Sequence, residues 1–181
     1  MISFLVRYIL IVVAIVSMLA GMQLPNLADQ YEKRVDASLR EVTLNLDPFQ
    51  KIADMHAGGN IEDLIKLHRD SAIPAFQEEG EAIEKLYKRK LHLQALYQAL
   101  QTDLASRLWQ VLWFADPDLR EQTLLQYTPN VPLTQEALLA GGIATVVVLG
   151  VLEFLMALGH WAVSHILYRT HRLLRGRSAE A

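Results

Sequence analysis

No cysteine occurs among the 181 residues, which excludes a disulfide scaffold, a thiolate zinc site and a cysteine nucleophile together. Charge is also scarce. Only 20% of residues are Asp, Glu, Lys or Arg, and 17 Lys+Arg against 20 Asp+Glu leave a net charge of −3 and a pI near 6.1. A nucleic-acid binder usually shows a strongly basic face, so nucleic acid is not an expected partner. A serine nucleophile elbow, a phosphate-binding loop and a dinucleotide fingerprint are all missing. Between residues 28 and 136 there is no β-branched run and no strict apolar–polar alternation, so no strand is expected there. Without a catalytic constellation the chain reads as a non-enzyme with no cofactor. Its length allows one compact domain.

What is abundant is hydrophobicity, at 52% of residues and a mean hydropathy of +0.18, and it is concentrated at the two ends. From Ile2 to Met22 the only charge is Arg7. As a helix these residues reach roughly 31 Å, enough for a hydrocarbon core of about 30 Å. A small-x-small cleavage site is lacking, because Met18 precedes Ala20 and Leu19 precedes Gly21; an uncleaved anchor is expected rather than a signal peptide. The second stretch, Ala137 to Tyr168, opens with uncharged residues as far as Leu152, meets Glu153, and then carries His160 and His165. At about 48 Å it must tilt or emerge among the headgroups near Trp161 and Tyr168.

The flanking charges orient the spans. Arg169, Arg172, Arg175 and Arg177 crowd beyond the second, and Arg7 opens the first. Basic residues near span ends stay cytoplasmic, so both termini are expected inside a bacterial inner membrane, with the middle in the periplasm. That middle segment, 28 to 136, holds 12 Lys+Arg and 18 Asp+Glu. The expected division is 1–24 as the first transmembrane helix, 25–134 as a helical periplasmic domain, 135–168 as the second transmembrane helix, and 169–181 as a basic tail.

The middle reads as helices. Pro25 and Asn26 are expected to break the first span from a helix over 27–46, whose Leu27, Tyr31, Val35, Leu39, Val42 and Leu46 form one stripe. Asp47-Pro48 suggests a restart, with Asp47 as N-cap and proline at the first helical position. Gly58-Gly59-Asn60 should end that piece, and a short helix over 61–68 should stop before Pro74. The longest helix is expected from about Ala75 to Phe114, with Ile83, Leu86, Leu93, Tyr97, Leu100, Leu104 and Val111 as a coiled-coil-like seam against residues 27–46. Asp116-Pro117 repeats the cap-and-proline start for a helix to about Tyr127. Pro129 and Pro132 stiffen a linker into Thr134, which should cap the second span. The fold class is therefore all-α: two transmembrane helices flanking an extramembrane antiparallel helical hairpin.

Several residues stand out as candidate sites. Glu153 is a carboxylate within a span, costly unless paired, protonated or near water. It could handle protons or pair with a partner, with His160 seven residues on along the same face. The favoured reading is that it snorkels to the cytoplasmic edge, because no group of the first span is expected to answer it. Ser17 and Gly21 lie four apart near the outer end of one span, as do Gly141 and Thr145 in the other, so antiparallel spans could pack closely there; small residues are also simply common in membrane helices. Asp54, His56 and His68 lack any metal-ligand spacing, which favours solvent-exposed histidines. Glu78, Glu79, Glu81 and Glu84 with Lys85, Lys88, Arg89 and Lys90 read as a solvated, salt-bridged face. Trp109, Trp113 and Phe114 are expected in the hairpin core rather than at the outer leaflet.

Gly21-Met-Gln-Leu-Pro25, Asp29-Gln30-Tyr31, Arg34, His56-Ala-Gly58-Gly59 and Pro129-Asn-Val-Pro132-Leu-Thr134-Gln-Glu136 resemble a family of uncharacterised proteobacterial inner-membrane proteins. The resemblance implies a bacterial inner-membrane protein and brings no activity or catalytic residue with it. The expected function is a membrane-anchored helical interaction or assembly protein, in contact with lipid and with a second copy or another membrane protein. A small transport or proton-coupling subunit using Glu153 and His160 inside a larger complex is the rival reading.

Overall fold

The computed structural model describes the backbone of residues 2–177 and the side chains of residues 5–162 and His165. Among the described residues there are six helices and no strands: α1 (Ile2–His56), α2 (Ile61–Arg69), α3 (Pro74–Leu100), α4 (Leu104–Trp113), α5 (Pro117–Leu125) and α6 (Gln135–Arg177). The chain divides into two compact units. Unit 1 comprises Met1–Leu24 and Asn130–Ala181, and unit 2 is Pro25–Pro129.

Unit 1 contains the first part of α1 and all of α6, each long and apolar enough to cross a membrane. Thr134 caps α6, its hydroxyl accepting the Ala137 N–H at 3.2 Å, with Glu136 in the first turn where the helix dipole favours an acid. The helix continues to Arg177, past the expected span end at Tyr168. The side chains of Arg169, Arg172, Arg175 and Arg177, and residues 178–181 altogether, lie outside the described residues.

The expected breaks at Pro25 and Pro48 do not occur: both prolines sit inside α1. A proline within a helix removes one hydrogen bond and costs about 3 kcal/mol. A buried face nonetheless continues past Pro48. Tyr31, Val35, Val42 and Leu46 are buried before Pro48, and Ala53 after it. Asp47 does not cap a new helix but pairs with Lys51 at 2.6 Å, one turn along the same one; this partner raises the Lys51 ammonium pKa. α1 ends at Gly58 and Gly59, whose φ values of 61° and 84° are the left-handed conformation that stops a helix.

The helix expected over 75–114 is two helices. Asp103 supplies the reason: its carboxylate accepts the N–H groups of Ala105 and Ser106 and the Ser106 hydroxyl, ending α3 and starting α4. These hydrogen bonds hold the Asp103 carboxyl below its usual value. α2 packs on the first part of α3, tied by Arg69–Glu84 at 3.0 Å. The far end of α3 reaches α1 near its entry into unit 2, where Gln101 donates to Glu32 at 2.8 Å. α3 therefore runs back along α1. One core joins Tyr31, Val35, Val42 and Leu46 of α1 to Ile61 and Ile65, Ile83 and Leu93, Val111, and Leu119.

Candidate functional site

In unit 1, α1 and α6 approach at glycines. A Cβ on Gly21 would lie 2.6 Å from Ala144 Cβ, 2.8 Å from Ala140 O and 2.9 Å from Gly141 Cα. One on Gly141 would lie 2.8 Å from Met18 O and 2.9 Å from Met22 Cγ. The Thr145 hydroxyl donates to Gly141 O at 2.8 Å with Ala14 O at 3.4 Å, and Ser17 is buried. Small residues at this spacing let main chains approach where lipid supplies no hydrophobic drive. At the same end, the Gln23 amide donates to Asn130 O at 2.8 Å.

Glu153 and His160 lie further along α6, both exposed. Two turns separate them, and the Trp161 ring lies 5.4 Å from that of His165, tilted by 46°. The first part of α1 and Leu149 of α6 enclose a shallow groove of about 360 Å³, lined by Val6, Arg7, Leu10, Ile11 and Ala14.

In unit 2 the most concentrated polar chemistry is a seam that composition did not announce. Successive α1 residues each grip the returning chain. Asn26 is 5% exposed, and its amide donates to Tyr127 Oη at 3.0 Å and Thr128 O at 3.2 Å. Gln30 donates to Thr128 O at 2.9 Å and accepts its N–H at 3.3 Å. Tyr31 Oη accepts the Asp116 N–H at 2.9 Å. Arg34 donates to Gln126 Oε1 at 2.6 Å and to Gln122 Oε1 at 3.3 Å. Asp29 and Glu32 both pair with the Arg107 guanidinium, at 3.2 and 3.1 Å. Burial pushes the Tyr31 phenol above its ordinary value, helped by the Asp116 charge. Burial also works to raise the Asp116 carboxyl, but hydrogen bonds from Leu119 N–H, His92 and Asp118 N–H outweigh it and hold that group low. Acids, bases and amides are here tied to one another across helices. The arrangement fixes packing. The charged and amide residues that crowd Asn26 to Arg34, six of nine, within an apolar stripe are the one sequence signal that could have revealed it.

The residues considered for metal do not gather. Asp54 accepts from Gln50, His56 is exposed, and His68 is on α2. His68 is also not a solvent-exposed histidine. Its side chain is 15% exposed, its Nδ1 meets Leu64 O at 2.9 Å, and its ring stands edge-on to Phe76. Among the described residues no group of three or more His, Asp or Glu could hold a metal ion. On the acidic–basic face of α3, Glu84 pairs with Lys88 at 2.7 Å, which lowers its pKa.

Trp109, Trp113 and Phe114 are not core. They are 58%, 67% and 61% exposed, because Leu104, Leu108 and Val111 occupy the inner face of α4 and these side chains fall outside that stripe. Trp109 and Trp113 stack at 5.6 Å, with exposed Leu112 between them in sequence.

These features define an all-helical protein with two helices fit to cross a membrane and a separately cored helical unit. The chain belongs to a family described as a protein of unknown function (DUF2937), which matches residues 5–165. No curated protein and no solved structure matches it.

Proposed function

We propose that the protein is anchored in a bacterial inner membrane by α1 and α6, with both termini cytoplasmic, and that unit 2 is a periplasmic, non-enzymatic interaction or assembly module. The outward faces of both long helices support the anchoring. Val12, Ile15, Val16, Ile143, Val146 and Phe154 are between 55% and 72% exposed, which suits lipid and would be costly in water. The arginines at 7 and from 169 onward support the orientation.

The observation that carries the interaction role is the aromatic patch on α4. Trp109, Leu112, Trp113 and Phe114 stand together, each more than half exposed, on a segment that is otherwise acidic. A contiguous exposed apolar patch on a soluble face marks a contact surface, and tryptophan is the residue most enriched at such contacts. The partner is a protein, either a second copy or another membrane protein. Mild crosslinking in intact cells followed by purification should capture one discrete partner or homo-oligomer. Trp109→Ala with Trp113→Ala should abolish that capture without altering protein levels. A strictly monomeric product in the wild type, or capture unchanged in the double variant, overturns the reading.

A further inference from the structure

Glu153 is the one carboxylate within the apolar run of α6, and α1 carries a single charge, Arg7, before it leaves its own. The packing of the two helices fixes their register. Gly21 lies against Gly141, and Thr145 reaches Ala14 O. From Ala14 back to Arg7 is seven residues, or about 10.5 Å of helix; from Thr145 on to Glu153 is eight, or about 12 Å. Because the helices run in opposite directions, the two displacements carry both residues toward the same side. They arrive within about 2 Å of the same level.

Arg7 shares the face of α1 that meets α6, and Glu153 stands about 80° round α6 from Thr145, at the border of the contact face beside the half-buried Leu152. Arg7 is seven residues from Ala14 and fourteen from Gly21, on the stripe that meets α6, and it lines the groove that Leu149 closes. Glu153 is one turn beyond Leu149 and two beyond Thr145. No ion pair joins the two among the described residues, and both are exposed. In hydrocarbon the balance differs from that in water. An unpaired charge costs about 2.5–3.5 kcal/mol at the centre of a spanning helix and less toward its ends, so charges inside the hydrocarbon face one another, a wet cavity or the interface. Arginine carries a long side chain whose planar fork suits a carboxylate.

The geometry points to an intramembrane ion pair between Arg7 and Glu153, in which Glu153 is a standing carboxylate counter-ion to the guanidinium. It holds the inner ends of the two helices as the glycines hold the outer ends, and it does not carry protons. This inference rests on the membrane-spanning reading above.

The test is a neutralisation cycle on the full-length protein in bilayers: Arg7→Gln, Glu153→Gln and the double variant, each followed by thermal unfolding. Each single variant strands one charge and should lower Tm by about 5 °C; the double variant strands none and should recover to within about 2 °C of wild type. Losses that simply add overturn the pair. Infrared difference spectra of wild type against Glu153→Gln should show an ionised carboxylate at neutral pH, and a protonated acid there overturns it independently of folding. Alkaline carbonate washing separates the two readings. Release of the wild-type chain from vesicles removes both, whereas a retained chain with additive losses removes the ion pair alone.

Discussion

The two units are held together by opposite means. Unit 2 buries large side chains: Tyr31, Leu64, Ile83, Leu93 and Leu119 are among the most enclosed residues, each at or below 1% exposure. Unit 1 turns its large side chains outward and meets itself through Gly21, Gly141, Ser17 and Thr145. In water, apolar area removed from solvent is the main source of cohesion. In lipid it supplies almost none between helices, and close backbone contact takes its place. If α1 and α6 span a membrane as proposed, one chain follows both rules.

The largest effect that should sharpen this contrast is Gly21→Leu. A side chain there meets main-chain atoms of α6 at under 3 Å, so the two helices must separate, and disulfide trapping between cysteines introduced at 14 and 145, which are in contact, should fail. Trapping that survives would refute close packing as the source of cohesion. Next in size is Ile83→Ala, which should cost unit 2 about 3 kcal/mol in chemical unfolding of the detergent-solubilised protein. The same kind of truncation at Val146, 72% exposed on α6, should leave stability within about 0.5 kcal/mol; a comparable loss at both sites would erase the distinction.

A smaller effect, about 1 kcal/mol, is expected for Tyr31→Phe, which leaves the Asp116 N–H without its acceptor. The smallest is a pH dependence at Asp116. Its folded pKa lies below the ordinary 3.8, so the ionised form stabilises the fold above that value. The contribution fades as pH falls from 3.8 through the lower folded value. Asp116→Asn should therefore be less stable than wild type at neutral pH, with the gap in Tm narrowing in acid. A gap independent of pH would show that the carboxylate charge is not what matters.

Much of this was legible in the order of residues, and the misses have a common cause. The apolar ends, the stripe from Tyr31 to Leu46, the Gly58-Gly59 stop and the Thr134 cap all follow from local chemistry. Asp-Pro occurs twice, at 47–48 and at 116–117, and the same dipeptide does two things. Asp116 caps α5, accepting the N–H groups of Asp118 and Leu119. Asp47 lies inside α1, where Leu46, Phe49 and Ala53 continue a buried face across the proline. Local preference starts a helix only where no distant surface needs it to continue. Asp103 misled the reading in the other direction, since a heptad-like seam ran over a cap that the chain uses. The polar seam from Asn26 to Arg34 needed knowledge of what returns beside it, and so did Arg7. Each is ordinary by itself and acquires meaning only from residues far away along the chain.

The crossing at Gly21 has a consequence for how this sequence can change over time. Of the three atoms blocking a larger residue there, two belong to the backbone of the opposing helix, Ala140 O and Gly141 Cα. Trimming Ala144 would clear one obstacle and leave the others in place. A substitution across the interface cannot remove main-chain atoms, so a larger residue at position 21 requires the two helices to move apart.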